Sequence, residues 1–220
     1  MVKVIGVIQA RISSNRLPAK VMLDVMGKTL LERVVERVQN SNVLDEIYIA
    51  TSLKGEDVII ENISKKIGVK CFRGSLDNVF DRFIETIQKS EADIVVRITA
   101  DNPLTEPNMI DYGVKHLTHY DLDYVGYKNV PVGTAVEIFT AKSFLSIPTS
   151  KLNIHNKEHV TSYYYQNLDK YKVEFIKDFY EEDLSNISLT VDTLKDYIKI
   201  CNIYLNNKQN DLSELVKLGD

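Results

Sequence analysis

Apolar positions follow two rhythms along this chain. Short apolar runs at 2–8 (VKVIGVI), 46–51 (EIYIAT), 69–73 (VKCFR) and 93–99 (DIVVRIT) predict strands. Helical spacing fills the intervals. Leu30, Leu31, Val34, Val35 and Val38 form one stripe. Val58, Ile59, Ile60 and Ile63 form a second, with Gly68 placed as its stop. In SLDNVFDRFIETIQKS, Ser75 is placed to cap and Asp77 suits the first turn. Phe80, Phe83, Ile84 and Ile87 then face inward. Pro107 suits the start of a helix running to about Tyr120. The second half is less regular. Strands are expected at 134–140 (TAVEIFT), 171–177 (YKVEFIK) and 187–191 (ISLTV), with a helix after the first and the last.

Strands that alternate with helices and are apolar on both faces predict an α/β fold. It is a mostly parallel central sheet with helices on both faces. No repeat, low-complexity tract or linker divides the sequence. Residues 1–220 are therefore expected to form a single domain, with halves meeting near residue 105.

Composition narrows the function classes. The chain has 220 residues, 44% of them hydrophobic, enough for a sizeable core rather than disorder. Its apolar runs are too short for a membrane span, and no signal-peptide pattern is visible. Two distant cysteines, Cys71 and Cys201, make no disulfide framework and suit a reducing cytoplasm. A formal net charge of −4 argues against a general nucleic-acid binder.

Against that acidic balance, QARISSNRLPAKVM (9–22) carries Arg11, Arg16 and Lys20 and no acid. It follows the first strand. In open parallel sheets, ligands bind beyond the carboxyl ends of strands. Three cations on a loop can converge on one polyanion. Ser13, Ser14 and free loop N–H groups can add donors. The competing reading is a solvated basic loop. Neither a Walker loop nor a GxGxxG is present. Two strand ends then add acids. VVRITADNP stops at Asp101, and ISLTVDT stops at Asp192. A pair of carboxylates plus a triphosphate suits Mg²⁺. The alternative is that each Asp caps the segment that follows it.

These segments carry a family resemblance. Residues 10–22, FRGSLDNVFDRF (72–83), VVRITADNP (95–103), PVGTAVEIF (131–139), EHVT (158–161) and LTVDT (189–193) resemble the cytidylyltransferases that activate acidic sugars. The branch they look most like is that of spore-coat polysaccharide biosynthesis protein F, related to the synthetases of CMP-ketodeoxyoctonate and CMP-neuraminate. The resemblance implies a nucleotidyltransferase fold of the glycosyltransferase type A kind, with CTP as donor and Mg²⁺ as cofactor. It places Arg11, Arg16 and Lys20 at the triphosphate as the catalytic cations. Ala10, Ser13, Ser14, Asp77 and Asn78 belong to the nucleotide site, and Asp101 and Asp192 hold the metal. The nucleotide half is then about 1–105. The acceptor and dimerisation half is about 106–220, and the family's usual homodimer is expected. That second half departs from the ketodeoxyoctonate enzymes, which leaves the acceptor open. A small anionic compound is expected, either an acidic sugar or a phosphorylated or phosphonylated metabolite. Lys128, Lys142, Lys151 and Lys157 could supply charge for it.

Three features carry two readings each. Glu137 lies in the apolar run AVEIF, where an acid is costly unless paired. It either orients an acceptor or faces solvent. HNKEH (155–159) matches the H-x-x-E-H zinc pattern. The family resemblance instead places Glu158, His159 and Thr161 in a segment facing the acceptor region or a subunit interface. Tyr163, Tyr164 and Tyr165 are expected to pack a helix rather than stack a ligand. Two other function classes remain at this point, a nucleotide-sugar glycosyltransferase and a non-catalytic nucleotide-binding module.

Overall fold

The computed structural model describes residues 2–206. Its strands are β1 (Val4–Gln9), β2 (Glu46–Ser52), β3 (Lys70–Gly74), β4 (Ile94–Thr99), β5 (Tyr124–Tyr127), β6 (Glu137–Thr140) and β7 (Val173–Ile176). They form one sheet in the order β3-β2-β1-β4-β6-β5-β7. Only β6 runs against its neighbours, so the sheet is mostly parallel, as the apolar runs predict.

The longer helices are α1 (Leu30–Val38), α2 (Val58–Lys66), α3 (Val79–Ser90) and α4 (Pro107–His119). Short helices α5 (Ala141–Leu145), α6 (Ile154–Glu158) and α7 (Ser162–Tyr165) precede a long α8 (Leu194–Asn206). Thr29 and Glu32 close a capping box on α1, whose five-residue apolar stripe is fully buried. Two separate apolar clusters cover the two faces of the sheet. One is built on α1, α2 and α4, and the other on α3, α5 and α7.

Three local expectations change, and one strand was not foreseen. Asn78, rather than Ser75, caps α3, and Ser75 Oγ instead accepts the Asn78 N–H at 3.1 Å. On α2 only Ile60 and Ile63 are buried, while Val58 and Ile59 are exposed. Helical spacing puts Ser64 on the inner face with them, so the stripe is narrower than the apolar content suggested. β5 has no strong run, because Gly126 interrupts its four residues and weakens the strand signal.

The expected strand at 187–191 is not a strand. It is an apolar segment packed in a third cluster with Val25, Leu30, Leu104 and α8. It makes one bridge, Ser188 to Val132. The partner backbone cannot extend the ladder, because Pro131 has no N–H and Gly133 is left-handed at φ +95°. A Cβ on Gly133 would lie 2.6 Å from the Thr190 nitrogen. Glycine is therefore required for the close approach that seats the segment ending at Asp192.

The topology also locates the crevice. β1 connects outward to β2, while β4 returns on its other side. This is a switch point, where two chain segments diverge and leave room for a ligand. Gln9 and Thr99 are register partners there, and the Ala100 N–H donates to the Gln9 carbonyl at 3.1 Å. The loops after β1 and β4 thus leave the sheet side by side. No helix among the described residues is long and apolar enough to cross a membrane.

Candidate active site

A cavity of about 410 Å³ opens at this switch point. Its walls include Ala10, Arg11, Ser13, Ser14, Arg16 and Lys20 from the loop after β1, Asp101 from the loop after β4, and Glu158 and His159 from the end of α6. The loop is pinned and open at once. Ile12 donates its N–H to Asp57 and accepts from the Ala19 N–H at 3.0 Å. The N–H groups of Ser13, Ser14, Asn15 and Arg16 find no acceptor among the described residues. A run of free donors beside two cations suits an anion.

Lys20 is the centre of the charge arrangement. Its Nζ donates to Asp101 Oδ2 at 2.8 Å, to Asp192 Oδ1 at 2.9 Å and to the Val191 carbonyl at 2.8 Å. Arg16 also reaches Asp192 Oδ1, at 2.6 Å. Burial alone would raise the Asp192 carboxyl. Lys20 and Arg16 instead hold it below the usual carboxylate range. Neither acid is a helix cap. Glu106 caps α4, and Asp196 and Thr193 bond each other at the start of α8. Two of the three predicted phosphate cations, Arg16 and Lys20, therefore meet the two predicted metal acids and neutralise them, while Arg11 pairs with Glu158.

Other candidates fall elsewhere. Asp77 is exposed and Asn78 is occupied as the α3 cap, and neither lines the cavity. Glu137 is also set back from it. It pairs with Arg97, its register partner across β4 and β6, and accepts from Tyr124 Oη at 2.7 Å and Thr161 Oγ1 at 2.6 Å. Burial would raise this carboxyl, but Arg97, Thr161 and Tyr124 keep it below its ordinary value. Glu137 is thus not the solvent-facing acid of the second reading but a paired acid that fixes Arg97 in the cavity wall. Glu158 accepts from Arg11 at 2.9 Å. The His159 imidazole is held low by burial first, then by His155 and Arg97, so it is neutral near pH 7. The His155 and His159 rings lie 4.4 Å apart, tilted at 38°. No group of three or more potential ligands among His, Cys, Asp and Glu gathers among the described residues, which leaves the zinc pattern without a third ligand. Lys128 lies over the Phe175 ring at 4.5 Å, and none of Lys128, Lys142, Lys151 and Lys157 lines the cavity. Tyr163 and Tyr164 are buried, as expected of packing residues, and Tyr165 is 40% exposed.

Some lining residues were not singled out from sequence. Gln9, Asn15, Val79, Arg82, Arg97 and Thr99 all reach the cavity. Arg82 is buried and donates to the Ser75 and Ala50 carbonyls. Arg97 could have been found, since a cation inside the apolar run VVRIT needs a partner.

Glu137→Gln tests the pairing. Leaving Arg97 without its acid is expected to cost roughly 2–3 kcal/mol, below the range of a fully buried pair because both side chains keep some exposure. The Glu137 folded pKa lies below 4.5, so its stabilisation is full above that pH and fades as pH falls through the lower folded value. Urea unfolding of both proteins from pH 7 downward checks this. Equal stability at pH 7 would remove the role.

Known proteins share this architecture. A family model described as cytidylyltransferase matches residues 5–220. Spore coat polysaccharide biosynthesis protein SpsF of Bacillus subtilis (strain 168) is 34% identical over 208 residues, covering 91% of this chain and 86% of that protein. A cytidylyltransferase structure from Leptospira borgpetersenii superposes with a TM-score of 0.92 at 28% identity, covering 99% of this chain and 94% of that one. The structure of CMP:2-keto-3-deoxy-manno-octonic acid synthetase complexed with CTP gives a TM-score of 0.71 at 17% identity, covering 93% and 99%, and so bears on the fold alone. With the family model matching from the first strand onward, this chain belongs to the cytidylyltransferase family, and its activity is CTP-dependent nucleotidyl transfer.

Proposed function

We propose that this chain transfers CMP from CTP to a small anionic acceptor and releases pyrophosphate. The acceptor is an acidic sugar or a small phosphorylated or phosphonylated metabolite, in the assembly of a surface polysaccharide. The observation that carries the proposal is the seating of Lys20 between Asp101 and Asp192 in the wall that also holds the open loop. Nucleotidyl transfer needs positioning and charge neutralisation more than covalent chemistry. The acceptor oxygen attacks the α-phosphorus in line, and the pyrophosphate leaves toward residues 13–16. Arg11, Arg16 and Lys20 stabilise the charge that gathers on it.

Asp101 and Asp192 fit a Mg²⁺ ion in donor chemistry, since both are hard oxygen ligands and both already face one cation, the Lys20 ammonium. Mg²⁺ would neutralise phosphate charge there. Lys20 and Arg16 would turn from the acids to the phosphates. His159 lines the same cavity with its imidazole held low by burial, and accepts a proton or hydrogen bond from an acceptor hydroxyl, while a phosphate acceptor needs no base.

Polysaccharide assembly is supported by the name of the 34%-identical relative. We also propose a homodimer. Ile154, Tyr165 and Leu168, all exposed apolar side chains beside α6 and α7, favour a covered surface next to the acceptor wall. Light scattering tests the assembly. Pyrophosphate release from CTP with Mg²⁺, across neutral sugars, acidic sugars and phosphate or phosphonate compounds, tests the rest. Turnover only with a neutral sugar would overturn the acceptor class.

A further inference from the structure

Asp57 breaks a local rule. It directly precedes α2, where an Asp ordinarily accepts N–H groups of its own helix. Its side chain makes no such bond. Instead Oδ1 accepts the Ile12 N–H at 2.7 Å, and Oδ2 accepts the Ser52 hydroxyl. The residue is fully buried. A buried carboxylate is costly unless its oxygens are bonded, and here each oxygen has a donor. An acid at a helix start that spends one oxygen on a residue far off in the chain serves more than its own helix.

What it serves is the loop after β1. Ile12 is its fixed point. The Ile12 N–H goes to Asp57 and its carbonyl to Ala19, and its side chain packs on the sheet. Residues 13–18 form the excursion between those anchors, and Ala19 closes it in the left-handed conformation at φ 55°. Ser52 ends β2, so Asp57 ties the loop to the carboxyl end of an internal strand of the sheet. Without this tie the free N–H groups of residues 13–16 would have no fixed direction. Preorganised donors bind an anion more tightly than donors that must first be ordered.

We propose that Asp57 is the positioning residue of the triphosphate loop, setting affinity for the β- and γ-phosphates through Ile12 without touching the nucleotide. This rests on the transferase reading above. The tie depends on two acceptor positions rather than on net charge. Asn at 57 keeps an oxygen for the Ile12 N–H and offers its NH₂ to the Ser52 oxygen, whereas Ala keeps neither.

The test is calorimetric binding of CTP, inorganic pyrophosphate and CMP, with Mg²⁺, to wild type, Asp57→Ala and Asp57→Asn, alongside each melting temperature. Asp57→Ala is expected to weaken CTP and pyrophosphate about tenfold, with CMP little changed, and Asp57→Asn to stay within about threefold of wild type. A merely structural role would lower the melting temperature without separating CTP from CMP. Should Asp57→Ala not fold, Ser52→Ala carries the comparison, with about a threefold loss expected on CTP and none on CMP. Equal losses on CTP and CMP, no loss at all, or Asn as weak as Ala would overturn the proposal. Wild-type protein that binds neither CTP nor pyrophosphate removes the transferase reading and this inference with it. Wild-type binding that Asp57→Ala leaves unaltered removes this inference alone.

Discussion

Lys20→Ala is expected to lose turnover and gain affinity for a divalent cation. The loss follows from the leaving group. Removing one preorganised charge contact typically lowers rate by about 10²–10³. The gain follows from the contact geometry, in which the Lys20 ammonium bridges Asp101 and Asp192, the two acids proposed to hold the metal. A divalent cation arriving alone must displace it. The carboxylates of the Ala variant are open, apart from the Arg16 contact to Asp192. Mn²⁺ titration without nucleotide, followed by electron paramagnetic resonance, should show about tenfold tighter binding in the variant, the scale of one charge-assisted contact. Wild-type turnover in folded Lys20→Ala would remove the loop assignment. Unchanged Mn²⁺ affinity would show that the ammonium does not compete for the acids.

The same geometry explains what could be read from sequence. Three of the four N-terminal apolar runs became β1, β2 and β4 because parallel strands buried on both faces are continuous in hydrophobicity, and the other became the part-buried edge strand β3. Their order around the switch point then brought the loop at 9–22 and Asp101 together. Asp192 was found for a partly wrong reason. The segment before it is apolar and ends at the site, but it packs as an extended strap rather than a strand. An apolar run records burial, not hydrogen-bonded pairing.

What sequence hid was pairing across distance. Glu137 was flagged as a costly acid, and Arg97 carries the same cost in β4, yet only the β4–β6 register joins them. Asp57 was invisible for a different reason. An Asp before a helix is expected as a cap, so nothing in the local pattern points to Ile12, 45 residues away. Asp77 and Asn78 illustrate the reverse. They lie in a segment that resembles the family, but one faces solvent and the other caps α3.

The mirror experiment removes the acids. Asp101→Asn and Asp192→Asn are each expected to abolish most metal-dependent turnover, since a neutral amide is a poor ligand for a hard cation. In chelator, without metal, the same variants should bind CTP more tightly than wild type. In the wild-type protein the acids hold Lys20 and Arg16, and a triphosphate arriving alone must take those cations from them at the cost of two unpaired carboxylates. Asp192→Asn loosens both cations and should show the larger gain, about tenfold, while Asp101→Asn loosens Lys20 alone. Metal and CTP should therefore bind wild type with positive coupling, each drawing away the partner that blocks the other, and the coupling must be equal whichever is added first. Calorimetric titration of CTP with and without Mn²⁺, in wild type and both variants, measures it. Additive binding of metal and CTP in the wild-type protein, or weaker metal-free CTP binding in both Asn variants, would show that the Lys20–Asp101–Asp192 contact does not gate the site.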